Sequence, residues 1–364
     1  MTAEFWRMGA TPVPVTAIGD QARRMEADGW DGLAVGEAHG LLPDPYVALG
    51  LAATATTTLK VGTAVAVPLR HPLLAAGAMA TVQGVSGGRA GFSIGRGDGA
   101  MKVLQRDAMP VRRFEDYLRQ VQGYLRGEDV EADGAVASMG RLGTIDPSLD
   151  VPKPPLNVAA TGPKMIALAA RLAEGVSFAF GADVERIRGG IELARTARAA
   201  VGGDPAELTL GCYVQMAVCD DAADRDRARE AIRGLVITHS RFSGFEGKAL
   251  PEVAAGDERP IAQSLHAMET VLRSSAGGTT RTAGGAPGEL DFYPRDAMET
   301  AFLERFAIIG SATECAERLQ QVLDLGISRV YIGTRAVGVD LEERNTERIG
   351  REVLPRLTGA PAAR

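Results

Sequence analysis

The stretch LKVGTAVAVPLRHPLLAAGAMATVQGVSGGRAGFSIGRGDG, residues 59–99, decides the fold. A short apolar run with β-branched residues, Lys60 to Val67, is followed by a basic loop and then by apolar side chains at helical spacing. A second apolar run, Ala90 to Ile94, ends in a glycine-rich loop at 95–99. This order predicts a β-α-β unit with two parallel strands, whose polar loops leave from the carboxyl ends of the strands. Ligands of parallel α/β folds bind at that end.

The same alternation of strand and helix extends over most of the 364 residues. It is the pattern of an α/β protein with a (β/α)8 TIM barrel, and the alternative is a doubly wound sheet with a second domain. The alternation is interrupted by an irregular excursion at 127–153, and it fails between residues 240 and 304, where glycine and proline are frequent. We therefore predict one domain, 1–364, with an insertion at 240–304 before the last repeat that forms a lid or substrate wall. Its candidate substrate contacts are Arg241, Phe242 and Phe245.

Composition excludes several classes of function. The 40 basic and 46 acidic side chains give a net charge of −6 without a long basic run, so we expect no nucleic-acid partner. Cys212, Cys219 and Cys315 are too few and too scattered for a disulfide framework or a tetrahedral metal site. No apolar stretch reaches the roughly 18 residues of a membrane span, and the N-terminus lacks the pattern of a signal peptide. These features predict a cytoplasmic protein with no metal and no membrane partner.

Three segments carry polar residues at predicted strand ends. In the first, Thr161 can cap a helix, Gly162 permits close approach of a ligand, Pro163 suits the first helical position and Lys164 adds positive charge beside free N–H groups. This turn is either an anion or phosphate site or a plain helix cap.

The second segment, Gly95-Arg96-Gly97-Asp98-Gly99, lacks the lysine and hydroxyl of a P-loop and the spacing of a dinucleotide fingerprint. It is either a simple turn or a loop in which Arg96 contacts an anion.

The third segment contains Glu37 and His39 after the second predicted strand. Two residues apart, they can both face the mouth of a barrel, where a histidine with a pKa of about 6.5 can give or take a proton. Alternatively, His39 caps or orients the loop. For His71 we favour packing at a helix start, and for His239 and His266 a surface or packing role.

Together these motifs resemble the bacterial luciferase-like family of flavin and deazaflavin oxidoreductases. The resemblance rests on the runs at 36–39, 44–49, 59–65, 86–89 and 95–97. Within the family, the turn at 161–165 and the loop at 95–99 are similar to the branch that contains methylenetetrahydromethanopterin reductase, which uses coenzyme F420. Several F420-dependent relatives have Asp and His adjacent after the second strand, whereas here Ala38 separates Glu37 from His39.

The resemblance implies a TIM barrel with a non-prolyl cis peptide after the third strand, which supports the middle of the flavin or deazaflavin ring. The matching residues are Thr63, Ala64 and Val65, with the cis bond at Ala64–Val65. The resemblance also implies a dimer built from the early helices. The implied contacts of the cofactor tail are Gly95, Arg96, Gly97, Ala160, Thr161, Gly162, Pro163, Lys164 and Ser177.

The leading hypothesis that follows is an F420-dependent oxidoreductase. It would pass hydride from C5 of the reduced deazaflavin to an electron-poor C=C or C=N of a small organic substrate, with His39 as proton donor helped by Glu37. One alternative is an FMN-dependent monooxygenase. Since a flavin reacts with dioxygen and a deazaflavin does not, oxygen consumption with reduced FMN would favour this alternative. The other is a non-catalytic barrel subunit.

Overall fold

The computed structural model describes residues 3–9, 14–38, 42–97, 100–140, 146–232, 301–334 and 339–357. The predicted insertion therefore lies almost entirely outside the described residues. The same holds for His39, Asp98, Gly99, His239, Arg241, Phe242, Phe245 and His266.

Eight parallel strands close into a barrel in the described part of the chain. The strands are β1 (Glu4–Gly9), β2 (Gly32–Val35), β3 (Lys60–Thr63), β4 (Ala90–Ile94), β5 (Val130–Ala132), β6 (Ala135–Ala137), β7 (Leu156–Ala160), β8 (Gly175–Phe178), β9 (Thr209–Val218), β10 (Ala307–Gly310) and β11 (Arg329–Gly333). The barrel order is β1, β2, β3, β4, β7, β8, β9 and β11, and β11 pairs with β1. The long strand β9 pairs with β8 through its first residues and with β10 through its last four. The closed sheet confirms the predicted TIM barrel and shows that the doubly wound alternative is wrong.

Helices follow the barrel strands and bury their apolar faces against them. Their starts are set by local chemistry: the Asp44 carboxylate accepts from the Tyr46 N–H at 2.9 Å, and Ser311 and Glu314 form a capping box. The described helices are Ile18–Ala27, Pro45–Ala55, Pro72–Val85, Ala100–Val103, Val111–Leu125, Pro163–Leu172, Val184–Ala199, 222–232, Ala301–Phe306, Ala312–Leu323 and Val339–Arg348. None of them is long and apolar enough to cross a membrane.

An aromatic cluster fills the middle of the barrel. Trp6, Tyr213 and Tyr331 are buried there, and the two tyrosine rings stack with centroids 4.8 Å apart. Glycines on neighbouring strands make room for the indole, since a Cβ at Gly32 would collide with the Trp6 ring and one at Gly91 would lie 3.1 Å from it. The aromatic rings therefore fill the interior of the barrel between the two ends of its strands.

Glu4 holds the opposite end of the barrel together. Its carboxylate accepts from Arg329 Nε at 2.9 Å and pairs with the Lys60 ammonium. Burial opposes ionisation of Glu4, but these two cations outweigh it, so the pKa of the carboxyl lies below its usual value. The Glu4 carboxylate therefore links β1 to β3 and β11 through these two cations.

Candidate active site

The mouth of the barrel is lined by small and flexible apolar side chains. Met8, Ala64, Val65, Ala159 and Ala179 pack on the aromatic cluster and are only partly buried. They come from the ends of four strands, β1, β3, β7 and β8, so the closure of the sheet brings together residues that lie far apart in the sequence. The result is a broad apolar floor on which a flat ring can lie.

A cis peptide bond joins Ala64 to Val65, as the sequence analysis predicted. Hydrogen bonds tie this segment to both neighbouring strands: the Ala64 N–H donates to the Val35 carbonyl at 2.8 Å, and the Ala66 N–H donates to the Ser93 carbonyl at 2.8 Å. The Val65 carbonyl accepts from the Glu37 N–H at 3.2 Å. The backbone at the mouth is thus fixed on two sides.

Glu37 is buried beneath this segment, with 3% of its surface exposed. One carboxylate oxygen accepts from the Val67 N–H at 2.8 Å and the other from Arg70 Nε at 3.2 Å. Arg70 also pairs with Asp44 and lies over the Tyr46 ring, 4.6 Å from its centroid. Both oxygens of Glu37 therefore hold the chain that follows β3.

The loop after β4 keeps the mouth open. A Cβ on Gly95 would lie 3.3 Å from Val65 Cγ2 and 3.8 Å from Ala159 Cβ, so a larger side chain here would extend over the apolar floor. Gly97 has a φ of +90° and would bring a Cβ within 2.6 Å of Met101 Cγ. Arg96 between them is half-buried, and its carbonyl accepts from the Met109 N–H at 3.1 Å.

The turn after β7 differs from the prediction in one respect. The N-cap of the helix Pro163–Leu172 is Gly162, and no described side chain caps it, so the prediction that Thr161 caps this helix is wrong. Pro163 takes the first helical position, which places the glycine at the cap. The first-turn N–H groups thus have no side-chain cap, and the exposed Lys164 lies in the same turn.

Three other predicted contacts lie deeper or form part of the wall. Ser177 is fully buried inside the barrel and donates to Asn157 Oδ1 at 3.0 Å, one layer below Ala179. The Thr63 hydroxyl donates to the Ser93 carbonyl at 2.6 Å, and Ala160 is 3% exposed at the end of β7. Their contact with a cofactor remains a prediction.

His71 has the structural role that we favoured. It is the N-cap of the helix Pro72–Val85, and its Nδ1 accepts from the Leu73 N–H at 3.2 Å.

Comparison with known proteins identifies the family. The model of the luciferase-like monooxygenase family matches residues 1–329. This chain belongs to that family.

The relatives of this luciferase-like chain include reductases. It is 25% identical over 354 residues to 5,10-methylenetetrahydromethanopterin reductase of Methanolobus tindarius, covering 94% of this chain and 96% of the relative. It is 28% identical over 324 residues to the enzyme of the same name from Archaeoglobus fulgidus, covering 86% and 87%. A solved structure of coenzyme F420 dependent tetrahydromethanopterin reductase from Methanopyrus kandleri superposes with a TM-score of 0.72 at 19% identity, covering 98% of this chain and all of that one. The last similarity shows the shared barrel.

Sequence analysis missed several residues of the mouth of this luciferase-like barrel. Met8, Ala159, Ala179 and Gln215 were not singled out, although each continues the inward-facing alternation of its strand. Following that period-2 pattern to the carboxyl end of each strand would have found them. Within the described residues, no group of three or more His, Cys, Asp or Glu side chains is arranged to hold a metal ion.

Proposed function

We propose that this protein is an F420-dependent oxidoreductase that binds reduced F420 in the barrel mouth and transfers hydride to an electron-poor C=C or C=N of a small organic substrate. The observation that carries the proposal is the apolar floor of Met8, Ala64, Val65, Ala159 and Ala179 at the barrel mouth, in a chain similar over nearly its full length to methylenetetrahydromethanopterin reductases.

The mouth fits a flat tricyclic ring. Alanines at positions 64, 159 and 179 and the absence of a side chain at Gly95 leave the floor free of bulky groups. When bound, F420 supplies a hydride donor, so the protein is left with orienting the ring and substrate, excluding water and positioning a proton. Ala64 and Val65 would support the ring, and Gly95 would let it approach β4.

We propose that His39 supplies the proton that the substrate takes up with the hydride, as in the sequence-based hypothesis. His39 lies two residues after Glu37, whose carboxylate is fully engaged with Val67 and Arg70. We therefore propose Glu37 as a positioning residue that fixes the start of this segment, with His39 as the proton donor at the substrate.

The tail of the cofactor would bind at the N-terminus of the helix Pro163–Leu172. Its uncapped N–H groups, the Lys164 ammonium and Arg96 would interact favourably with a phosphate.

Lys164→Ala should raise the Kd for F420 about 5- to 20-fold, because one charge-assisted contact to the phosphate is lost. The deazaflavin riboside, which has no phosphate tail, should bind the variant and the wild type equally. Fluorescence quenching measures both affinities. Equal losses for the two ligands would exclude Lys164 as a phosphate contact.

Reoxidation of reduced F420 by candidate substrates tests whether the protein is a reductase of this kind. Reduced F420 is mixed with the protein and a panel of small compounds bearing electron-poor C=C or C=N bonds, and its reoxidation is followed by absorbance without oxygen. Protein-dependent reoxidation by members of the panel supports the proposal. Oxygen consumption with reduced FMN, and no reoxidation of F420, would instead favour the monooxygenase.

We also propose that the protein is a homodimer joined through two early helices. The helices Pro45–Ala55 and Pro72–Val85 pack side by side and contain no charged residue. Val47 and Leu74 on them are 60% and 63% exposed, and Leu51 and Val85 are also exposed. A contiguous uncharged face of this kind suits a second copy of the same chain, which presents the same patch about a two-fold axis.

Leu74→Glu should convert the dimer to a monomer, because it places a charge on this uncharged face. Sedimentation velocity measures the mass in solution. Leu341→Glu, which changes an exposed leucine on a different helix, is the matched control and should leave the dimer intact. A Leu74→Glu protein with the wild-type sedimentation coefficient would refute this interface.

A further inference from the structure

Gln215 is a buried polar residue at the mouth that neither the fold nor the proposed reaction has used. It lies on β9, two residues beyond Tyr213, and is 3% exposed. In register it lies beside Gly333 of β11, which in turn lies beside Met8 of β1. Gln215 therefore belongs to the layer directly above the stacked tyrosines.

The carboxamide of Gln215 points into the barrel. A Cβ built on Gly333 would overlap both heteroatoms of this amide, so the side chain lies across the inner face of β11. Its oxygen is enclosed and has no hydrogen-bond partner among the described residues. Buried amides are normally paired, and each exception needs an explanation.

The position of β9 in the barrel suggests an explanation for this unpaired oxygen. Counted around the barrel, β9 is the seventh of eight strands and β3 is the third, so the strand that carries Gln215 lies opposite the strand that leads into the Ala64–Val65 peptide. A ring resting on that peptide presents an edge toward β9. A glutamine amide offers an acceptor and a donor side by side, which matches the N–H and adjacent C=O of a cyclic imide.

We propose that the Gln215 carboxamide hydrogen-bonds the imide edge of the deazaflavin ring, with the ring N3–H donating to Gln215 Oε1. This inference rests on the proposed function. It assigns Gln215 a binding and orienting role: the bond fixes the ring in its plane and satisfies the otherwise unpaired oxygen.

The test compares two ligands and two proteins. The ligands are the deazaflavin riboside and its N3-methyl derivative, which lacks the N–H donor, and the variant is Gln215→Met, which keeps the length and volume of the side chain. The wild type should bind the riboside about tenfold more tightly than Gln215→Met does. The two proteins should bind the N3-methyl derivative equally, because the interaction needs both partners.

Thermal unfolding without ligand separates this role from a structural one. If the amide is unpaired until a ligand binds, Gln215→Met should unfold at the wild-type temperature or above it. Gln122→Met is the matched control: Gln122 is also buried and its Oε1 likewise has no hydrogen-bond partner among the described residues, but its Nε2 donates to the Leu172 carbonyl at 3.0 Å and to Glu174, which precedes β8 and so lies at the end opposite the mouth. It should lower the unfolding temperature and leave riboside binding unchanged.

The outcomes are distinct. Equal riboside affinity in the wild type and Gln215→Met, or a clear loss of thermal stability in Gln215→Met without ligand, would overturn the role of Gln215 while leaving the proposed function intact. A wild-type protein that binds neither F420 nor the riboside would overturn both.

Discussion

Gly95→Leu is expected to raise the Kd for F420 at least 100-fold. The new side chain would start 3.3 Å from Val65 Cγ2 and 3.8 Å from Ala159 Cβ, and would extend over the floor where the ring is proposed to lie. A 100-fold loss corresponds to about 2.7 kcal/mol of binding free energy, which displacement of a ring from its support readily reaches. Fluorescence quenching of F420 measures the effect.

The fold should tolerate this substitution. The nearest atom to the added Cβ is the end of the Val65 side chain, which can shift by a few tenths of an ångström. Gly189→Leu is the control, because Gly189 lies on an exposed helix surface with no atom within 4 Å of an added Cβ. It should bind F420 as the wild type does. Wild-type affinity in Gly95→Leu would show that the ring does not lie on this floor.

Glu37→Ala is expected to lower the free energy of unfolding by about 2–3 kcal/mol. It leaves the buried Val67 N–H without its acceptor and removes one of the carboxylates that pair with Arg70. Arg70 still pairs with Asp44 in this variant and is partly exposed. The loss in the free energy of unfolding should therefore be smaller than that caused by leaving a fully buried charge without any partner. Urea denaturation measures the change.

The same variant should also weaken F420 binding, since Glu37 anchors the segment that follows the cis peptide. Glu343→Ala is the matched control. Glu343 pairs with Arg24 at 2.9 Å, but both side chains are about half exposed, and such pairs contribute about 0–1 kcal/mol. If the free energies of unfolding of Glu37→Ala and Glu343→Ala differ by less than about 0.5 kcal/mol, Glu37 does not anchor this segment.

The barrel itself was predictable because hydrophobic periodicity reports local structure. The helix of the stretch 59–99 runs from Pro72 to Val85 and its second strand from Ala90 to Ile94, as the pattern indicated. Its first strand is shorter than predicted and ends at Thr63, directly before the cis bond, which no local pattern encodes. That bond was predicted from family resemblance alone.

The site was predictable in part. A sequence motif gives the place of a residue along the chain but not its depth in the barrel. Ser177 was therefore expected near the cofactor tail, and the structure places it inside the barrel, where it donates to Asn157. Gln215 escaped notice because β9 reads as one buried apolar run with a single amide in it. Only the closed sheet shows that the strand carrying this amide lies opposite β3.

Dependence on F420 is tested most directly by titrating the purified protein with F420 and FMN side by side, following quenching of the intrinsic fluorescence of each cofactor. We expect F420 to bind with a Kd in the micromolar range or below, and FMN at least 100-fold more weakly. Tight binding of FMN with none of F420 would contradict the proposed function and direct the search for substrates to oxygen-dependent chemistry.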